Sequence, residues 1–136
     1  MTNAPAIGQD IRFSKTMTVA EQALFTGISG NLGGLYVDRT KARDAGLADM
    51  AVFELAASAL LTTCLSRLAG PAHRIANFSV SFAQAVPVGT TIAAKATVTS
   101  LDAVGALTCA LEASAGEAVL IRGTARLVPV SGGADV

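Results

Sequence analysis

The chain has no excess charge of either sign: its ten basic residues are matched by ten acidic ones, and no lysine or arginine cluster occurs. That excludes the electrostatic footprint of a protein that binds nucleic acid or an anionic membrane, and leaves a small molecule or another protein as the expected partner. Long hydrophobic runs are also missing. The most apolar stretch, residues 50–61, contains Glu54 and is shorter than the roughly 20 residues a bilayer-spanning helix needs. The first ten residues lack the basic and apolar regions of an export signal, so a cytoplasmic location is expected. Only two cysteines occur, Cys64 and Cys109, without metal-ligand spacing or a second histidine or cysteine cluster. Both read as small buried hydrophobes, and neither a metal nor a cofactor is expected. The single histidine, His73, follows Gly70-Pro71-Ala72 and reads as a surface loop residue.

What is present is enough apolar character for one core. Of the 136 residues 51% are hydrophobic, which suits a single domain over residues 1–136, with its core in residues 10–129 and a flexible, glycine-rich tail at residues 130–136. Thr18-Val19-Ala20-Glu21 has the form of a capping box and predicts a helix running to about Thr26, ended by the Gly27-Ile28-Ser29-Gly30 segment. Asp38 is placed to cap a brief helical turn that Gly46 closes. Residues 50–68 contain neither glycine nor proline and put apolar side chains on nearly every face, the pattern of a helix buried all round. Gly70-Pro71 stops that helix, and the period then changes to two. Phe78, Val80 and Phe82 alternate with serines; Ile92, Ala94, Ala96 and Val98 with polar residues; likewise Leu107, Cys109 and Leu111, then Val119, Ile121, Ala125 and Leu127. Turns at Asp102-Ala103 and Ala115-Gly116 make the last three an antiparallel meander, and a further strand is expected near residues 11–17. An apolar helix among half-apolar strands is buried when the sheet wraps it. The expected class is therefore α+β, in the hot-dog arrangement.

Two segments carry a more specific likeness. Phe25-Thr26-Gly27-Ile28-Ser29-Gly30-Asn31 through Leu35-Tyr36-Val37-Asp38 resembles the hydratase motif of the MaoC-like family, approximately G-D-x-N-P-x-H-x-D, and residues 80–91 resemble that family's R-F-x-x-P-V-x-x-G-D-x strand and turn. The resemblance spans residues 11–129. It implies a hot-dog fold, a thioester substrate on coenzyme A or acyl-carrier protein, and a pocket formed between subunits, hence a homodimer or higher oligomer. In the family an aspartate and a histidine of this loop add water to, or remove it from, a 2-enoyl thioester. By position they fall on Asn31 and Tyr36 here. An amide does not titrate near neutral pH, and an unperturbed phenol, with a pKa of about 10, is a poor base there. The family's asparagine and proline are replaced by Gly33 and Gly34, which should loosen the loop.

The resemblance also places a His-Gly pair at the start of the central helix, where a backbone N–H polarises the thioester carbonyl. Those positions are Phe53 and Glu54. Glu54, Ser58 and Thr62 follow i+4 spacing and form one narrow polar stripe. If the stripe lines a pocket, Glu54 is a base or nucleophile; if it faces solvent or a partner, Glu54 merely complements the helix N-terminus. The candidate catalytic residues are thus Glu54, Tyr36 and Asn31, and the candidate substrate-binding residues Phe53, Ser58, Gly33 and Gly34. Tyr36 also has a plain reading, as an amphipathic aromatic packed at the pocket edge. Ala56, Ala57 and Ala59 leave an expected space for a bulky group beside the helix. Three functions stay open: a hydratase or dehydratase with an altered site, an acyl-CoA thioesterase using Glu54, and a non-catalytic acyl-binding subunit paired with an active paralogue.

Overall fold

The computed structural model describes residues 5–131, so most of the expected tail lies outside the described residues. The order of elements is β1 (Asp10–Thr16), α1 (Val19–Ser29), α2 (Gly34–Val37), α3 (Arg39–Asp44), α4 (Glu54–Ala69), β2 (His73–Phe82), β3 (Thr91–Leu101), β4 (Leu107–Ala115) and β5 (Ala118–Pro129). The strands form one antiparallel sheet in the order β1-β3-β4-β5-β2. With α4 packed in its concave side, this is the α+β hot-dog arrangement that the pattern of one helix and alternating strands predicts.

Alternation decides which face of each strand meets the helix. Ile92, Ala94, Ala96 and Val98 of β3 are all buried, as are Leu107, Cys109, Leu111 and Ala113 of β4. They close over Leu61, Cys64 and Leu65 of α4, each with no exposed surface. Burying one such leucine contributes roughly 1.5–3 kcal/mol. Both cysteines belong to this core as free thiols, and burial pushes both above the usual thiol range. On the outer face Lys95, Glu112 and Arg122 stand side by side across three strands. Gly123 has a different reason to be there: a Cβ on it would overlap the Ser79 carbonyl of β2, so β5 and β2 reach this approach only because the residue has no side chain.

Three expectations on the helices need correction. α4 starts at Glu54 rather than Met50, because residues 50–53 are extended and pinned to other segments: Ala51 N–H donates to Leu35 C=O, Val52 N–H to Val86 C=O, and Val88 N–H to Met50 C=O. Nor is α4 buried all round, since Leu55 is 61% exposed and Ala59, Ser66 and Arg67 share the open side; the sheet covers one side of the helix. The α1 helix runs three residues past Thr26, because Gly27 is tolerated inside it and Gly30, at φ 72°, is the residue that ends it. The capping box is as expected, with Thr18 and Glu21 bonded reciprocally. The Thr18 backbone and hydroxyl donors hold the Glu21 carboxyl below the usual range. His73 is also not a loop residue: it opens β2, and its Nε2 lies 2.9 Å from the Gly105 carbonyl oxygen.

Candidate active site

The loop expected to be loose is built. Asn31 Oδ1 accepts from Gly33 N–H at 2.8 Å, Asn31 N–H donates to Ser29 Oγ at 3.1 Å, and Gly33 C=O accepts from both Tyr36 and Val37 N–H. This Asx turn starts the short helix α2 and sets the direction in which Tyr36 leaves it. Gly33 sits where loop and ring meet, since a Cβ there would lie 3.0 Å from Asn31 Oδ1 and 3.5 Å from Tyr36 Cδ2. A Cβ on Gly34 would press on the Lys41 side chain. Asp38, beyond α2, caps α3 by accepting from Thr40 and Lys41 N–H, which is a structural role.

Tyr36 lies flat on Phe53, with ring centroids 4.4 Å apart and planes 12° from parallel, and Phe25 adds a tilted contact to Phe53 at 4.8 Å. The stack delivers the phenol to the neighbouring residue: Tyr36 O–H donates to Glu54 Oε1 at 2.6 Å. Of the three candidate catalytic residues, these two are brought into direct side-chain contact. Hydrogen bonding to Glu54, burial and the carboxylate charge together push the Tyr36 pKa up to about 12. The phenol is therefore a proton-bearing donor at neutral pH and not a base.

Glu54 is also the first residue of α4. The first intrahelical bond is Ala57 N–H to Phe53 C=O, so the N–H groups of residues 54–56 precede the ladder and no side chain caps them. Such amides, with the helix dipole behind them, form an electrophilic end beside the carboxylate.

The polar stripe does not continue along the site. Ser58 is buried and its hydroxyl donates to Glu54 C=O at 2.9 Å, while Thr62 donates to Ala59 C=O at 2.6 Å; both satisfy their own helix instead of facing a ligand. The expected space beside the alanines also shrinks. Ala57 borders a cavity of about 20 Å³ shared with Glu54, Gln84 and Phe82, room for about one water; Ala56 is buried and Ala59 faces outward. An open, mostly apolar groove of about 410 Å³ lies beside Tyr36, where Val19, Ala23, Thr26, Val37 and Met50 line it.

The family model described as MaoC like domain matches residues 2–116. The chain belongs to the MaoC-like family. No curated protein sequence matches this MaoC-like chain, but solved structures do. The (R)-hydratase from A. caviae involved in PHA biosynthesis superposes with a TM-score of 0.88 at 25% identity, over 94% of this chain and 99% of that one. A chain of the ChsH1-ChsH2 complex from Mycobacterium tuberculosis gives 0.82 at 16% identity, over 91% and 98%. The fluoroacetyl-CoA thioesterase FlK gives 0.66 at 14%, over 93% and 88%. Hydratase and thioesterase thus share the fold of this MaoC-like domain.

One residue of the site is absent from the sequence-based expectations. Gln22 of α1 is buried, and its amide bonds to backbone on both sides of the Tyr36–Glu54 pair. Its local sequence gave no signal, since Glu21, Thr26 and Ser29 also place polar groups on α1.

Proposed function

We propose that this MaoC-like domain acts on an acyl thioester, carried by coenzyme A or an acyl-carrier protein, as a hydratase or dehydratase with a rebuilt acid-base site. The observation that carries this reading is the 2.6 Å bond between Tyr36 and Glu54 at the N-terminus of α4. In the hydration direction Glu54 takes a proton from water, and the water oxygen bonds to the β-carbon. The C=C electron pair moves toward the thioester carbonyl, whose oxygen is received by the first amides of α4. The proton held by Glu54 then passes to the α-carbon. One water is added, Glu54 returns to its carboxylate form, and dehydration is the reverse. Tyr36 stays protonated and holds the carboxylate in place. Asn31, with Oδ1 committed to Gly33 N–H, offers its Nδ2 donors to the substrate. Phe53 and the Gly33-Gly34 backbone form the wall against which the thioester lies. Ser58 contributes by fixing the first turn of α4.

The acyl chain needs more room than the one-water cavity offers, and the groove beside Tyr36 supplies it. Leu24, Ile28, Leu32 and Leu55 are 61–80% exposed around this end of the molecule. In this reading a second subunit covers them, as a homodimer or as a heterodimer with a catalytic paralogue. A second reaction is favoured by one feature. A cavity of water size against a lone carboxylate suits direct attack of water on the thioester carbonyl, which is thioester hydrolysis.

Saturated and 2-enoyl thioesters, with enoyl absorbance and free thiol followed together, separate the readings. Loss of enoyl absorbance without thiol is the expected result, and Glu54→Gln should lower that rate by about 10²- to 10⁴-fold. Thiol release from saturated thioesters would replace the hydratase reading with the thioesterase. Silence in both channels would count against both reactions on the thioesters tested and leave a non-catalytic partner subunit or an enzyme for a substrate outside the panel.

A further inference from the structure

Gln22 is the one polar residue that α1 buries, 4% exposed. All three of its bonds go to backbone of other segments. Its Nε2 donates to Tyr36 C=O and to Ala51 C=O, each at 2.8 Å, and its Oε1 accepts from Phe53 N–H at a longer 3.4 Å. Two acceptors at one end and a donor at the other fix the orientation of the amide, since the flipped form would set oxygen against oxygen. One side chain therefore ties α1 to the residue that carries the phenol and to two of the three residues before Glu54, Ala51 and Phe53. Nothing in the helix-forming role of α1 requires an amide there. An apolar residue of that size would fill the space but leave two inward carbonyls without a donor, which is a costly arrangement in a buried position.

The stack and the acid pair depend on that tie. The Tyr36 ring lies over Phe53 and its hydroxyl reaches Glu54. Gln22 holds the backbone of the first two of these residues, and Glu54 follows Phe53 directly in the chain. The only other direct link from α2 to the extended segment 50–53 that backbone bonding supplies is Ala51 N–H to Leu35 C=O. A 2.6 Å hydrogen bond tolerates displacement poorly, because its strength falls steeply with distance and angle.

We propose that Gln22 is a positioning residue: its side-chain amide sets the distance between the Tyr36 phenol and the Glu54 carboxylate. The inference deepens the functional reading above, and its catalytic consequence rests on that reading. Its structural consequence does not.

The composition supplies the test. Tyr36 is the only tyrosine and there is no tryptophan, so ultraviolet emission reports this phenol alone. A phenol bonded to a carboxylate emits weakly, because the excited phenol passes its proton to the acceptor. The full-length protein should therefore emit weakly at neutral pH, and Glu54→Gln should restore emission. Gln22→Met, which keeps the length of the side chain and removes both donors, should raise emission toward the Glu54→Gln level with the far-ultraviolet dichroism unchanged. In the thioester assay it should lower kcat by about 10- to 100-fold, the scale of a misplaced catalytic group, with KM within about twofold. Folded Gln22→Met with emission as low as the native protein would overturn the proposal.

A second measurement needs no variant to fold. In the native protein the Gln22 side-chain amide protons should exchange with solvent far more slowly than those of Gln9 and Gln84, both exposed. Exchange at the rate of the other two glutamines would also overturn it. If emission and exchange behave as expected while no thioester reacts, the positioning role stands and the catalytic reading fails. If thioesters react and Gln22→Met leaves kcat and emission unchanged, the positioning role alone fails.

Discussion

The sheet with α4 and the run of short helices before it are held together by different physics. α4 buries eight of its 16 residues, nearly all of them apolar, whereas α1, α2 and α3 together bury only Gln22 and Ala42. The first region is stabilised by area removed from water and by interlocking side chains. The second is stabilised by caps and polar ties: the Thr18–Glu21 box, the Asn31 turn, the Asp38 cap, the Arg39–Asp49 ion pair at 2.8 Å, and the Gln22 amide. The Tyr36–Glu54 pair lies on the seam, with the phenol on the polar-tied side and the carboxylate on the packed side. A site built across such a seam combines a fixed group with one whose support opens locally at lower cost.

This contrast breaks most visibly in the sheet. Gly123→Ala forces a methyl against the Ser79 carbonyl, and because β2 and β5 are paired without a break from Asn77 to Phe82 the contact lies inside a continuous ladder. A loss of about 3 kcal/mol in global stability is expected, read as a lower denaturation midpoint with an unchanged slope. Caps in the helical region should behave otherwise. Thr18→Ala and Asp38→Ala each remove a side-chain acceptor from two or fewer backbone amides and should cost about 1 kcal/mol. Hydrogen exchange should show that loss in α1 or α3 while the amides of β3 and β4 keep their protection; a uniform loss across both regions would mean that they unfold as one unit.

A further effect belongs to the seam itself. Tyr36 should titrate near 12 in the native protein and nearer 10, the value of a free phenol, in Glu54→Gln. The sign for stability follows from linkage. A pKa raised on folding means that the pair contributes fully below about pH 10 and that this contribution is lost as pH rises through about 12. Native absorbance titrating near 10 would show that the phenol and the carboxylate are not bonded in solution.

Much of this molecule was legible in the chain. Strand alternation from Ile92 to Leu127, the capping box at Thr18, the Asp38 cap and the Gly70 stop of α4 follow from local chemistry, and each is where the pattern placed it. The same local rules misplaced the start of α4. Residues 50–53 have helix-compatible, apolar side chains, but backbone bonds from Leu35, Val86 and Val88, all distant in sequence, hold them extended. They also drew Ser58 and Thr62 into a polar stripe, because i+4 spacing says which side chains share a face but not that each hydroxyl prefers its own helix backbone. Gln22 escaped notice because one amide in a short helix has the same local look on a wet face as on a buried one.

By itself, then, the sequence determined most of the elements and the wrapped-helix architecture, since these depend on periodicity, caps and residue identity along the chain. Only the tertiary structure decided that Tyr36 would meet Glu54 across 18 residues of chain, and that a buried amide from α1 would bond the backbone of Tyr36, Ala51 and Phe53, because contacts between distant segments are set by how packed surfaces fit and not by any spacing within one element.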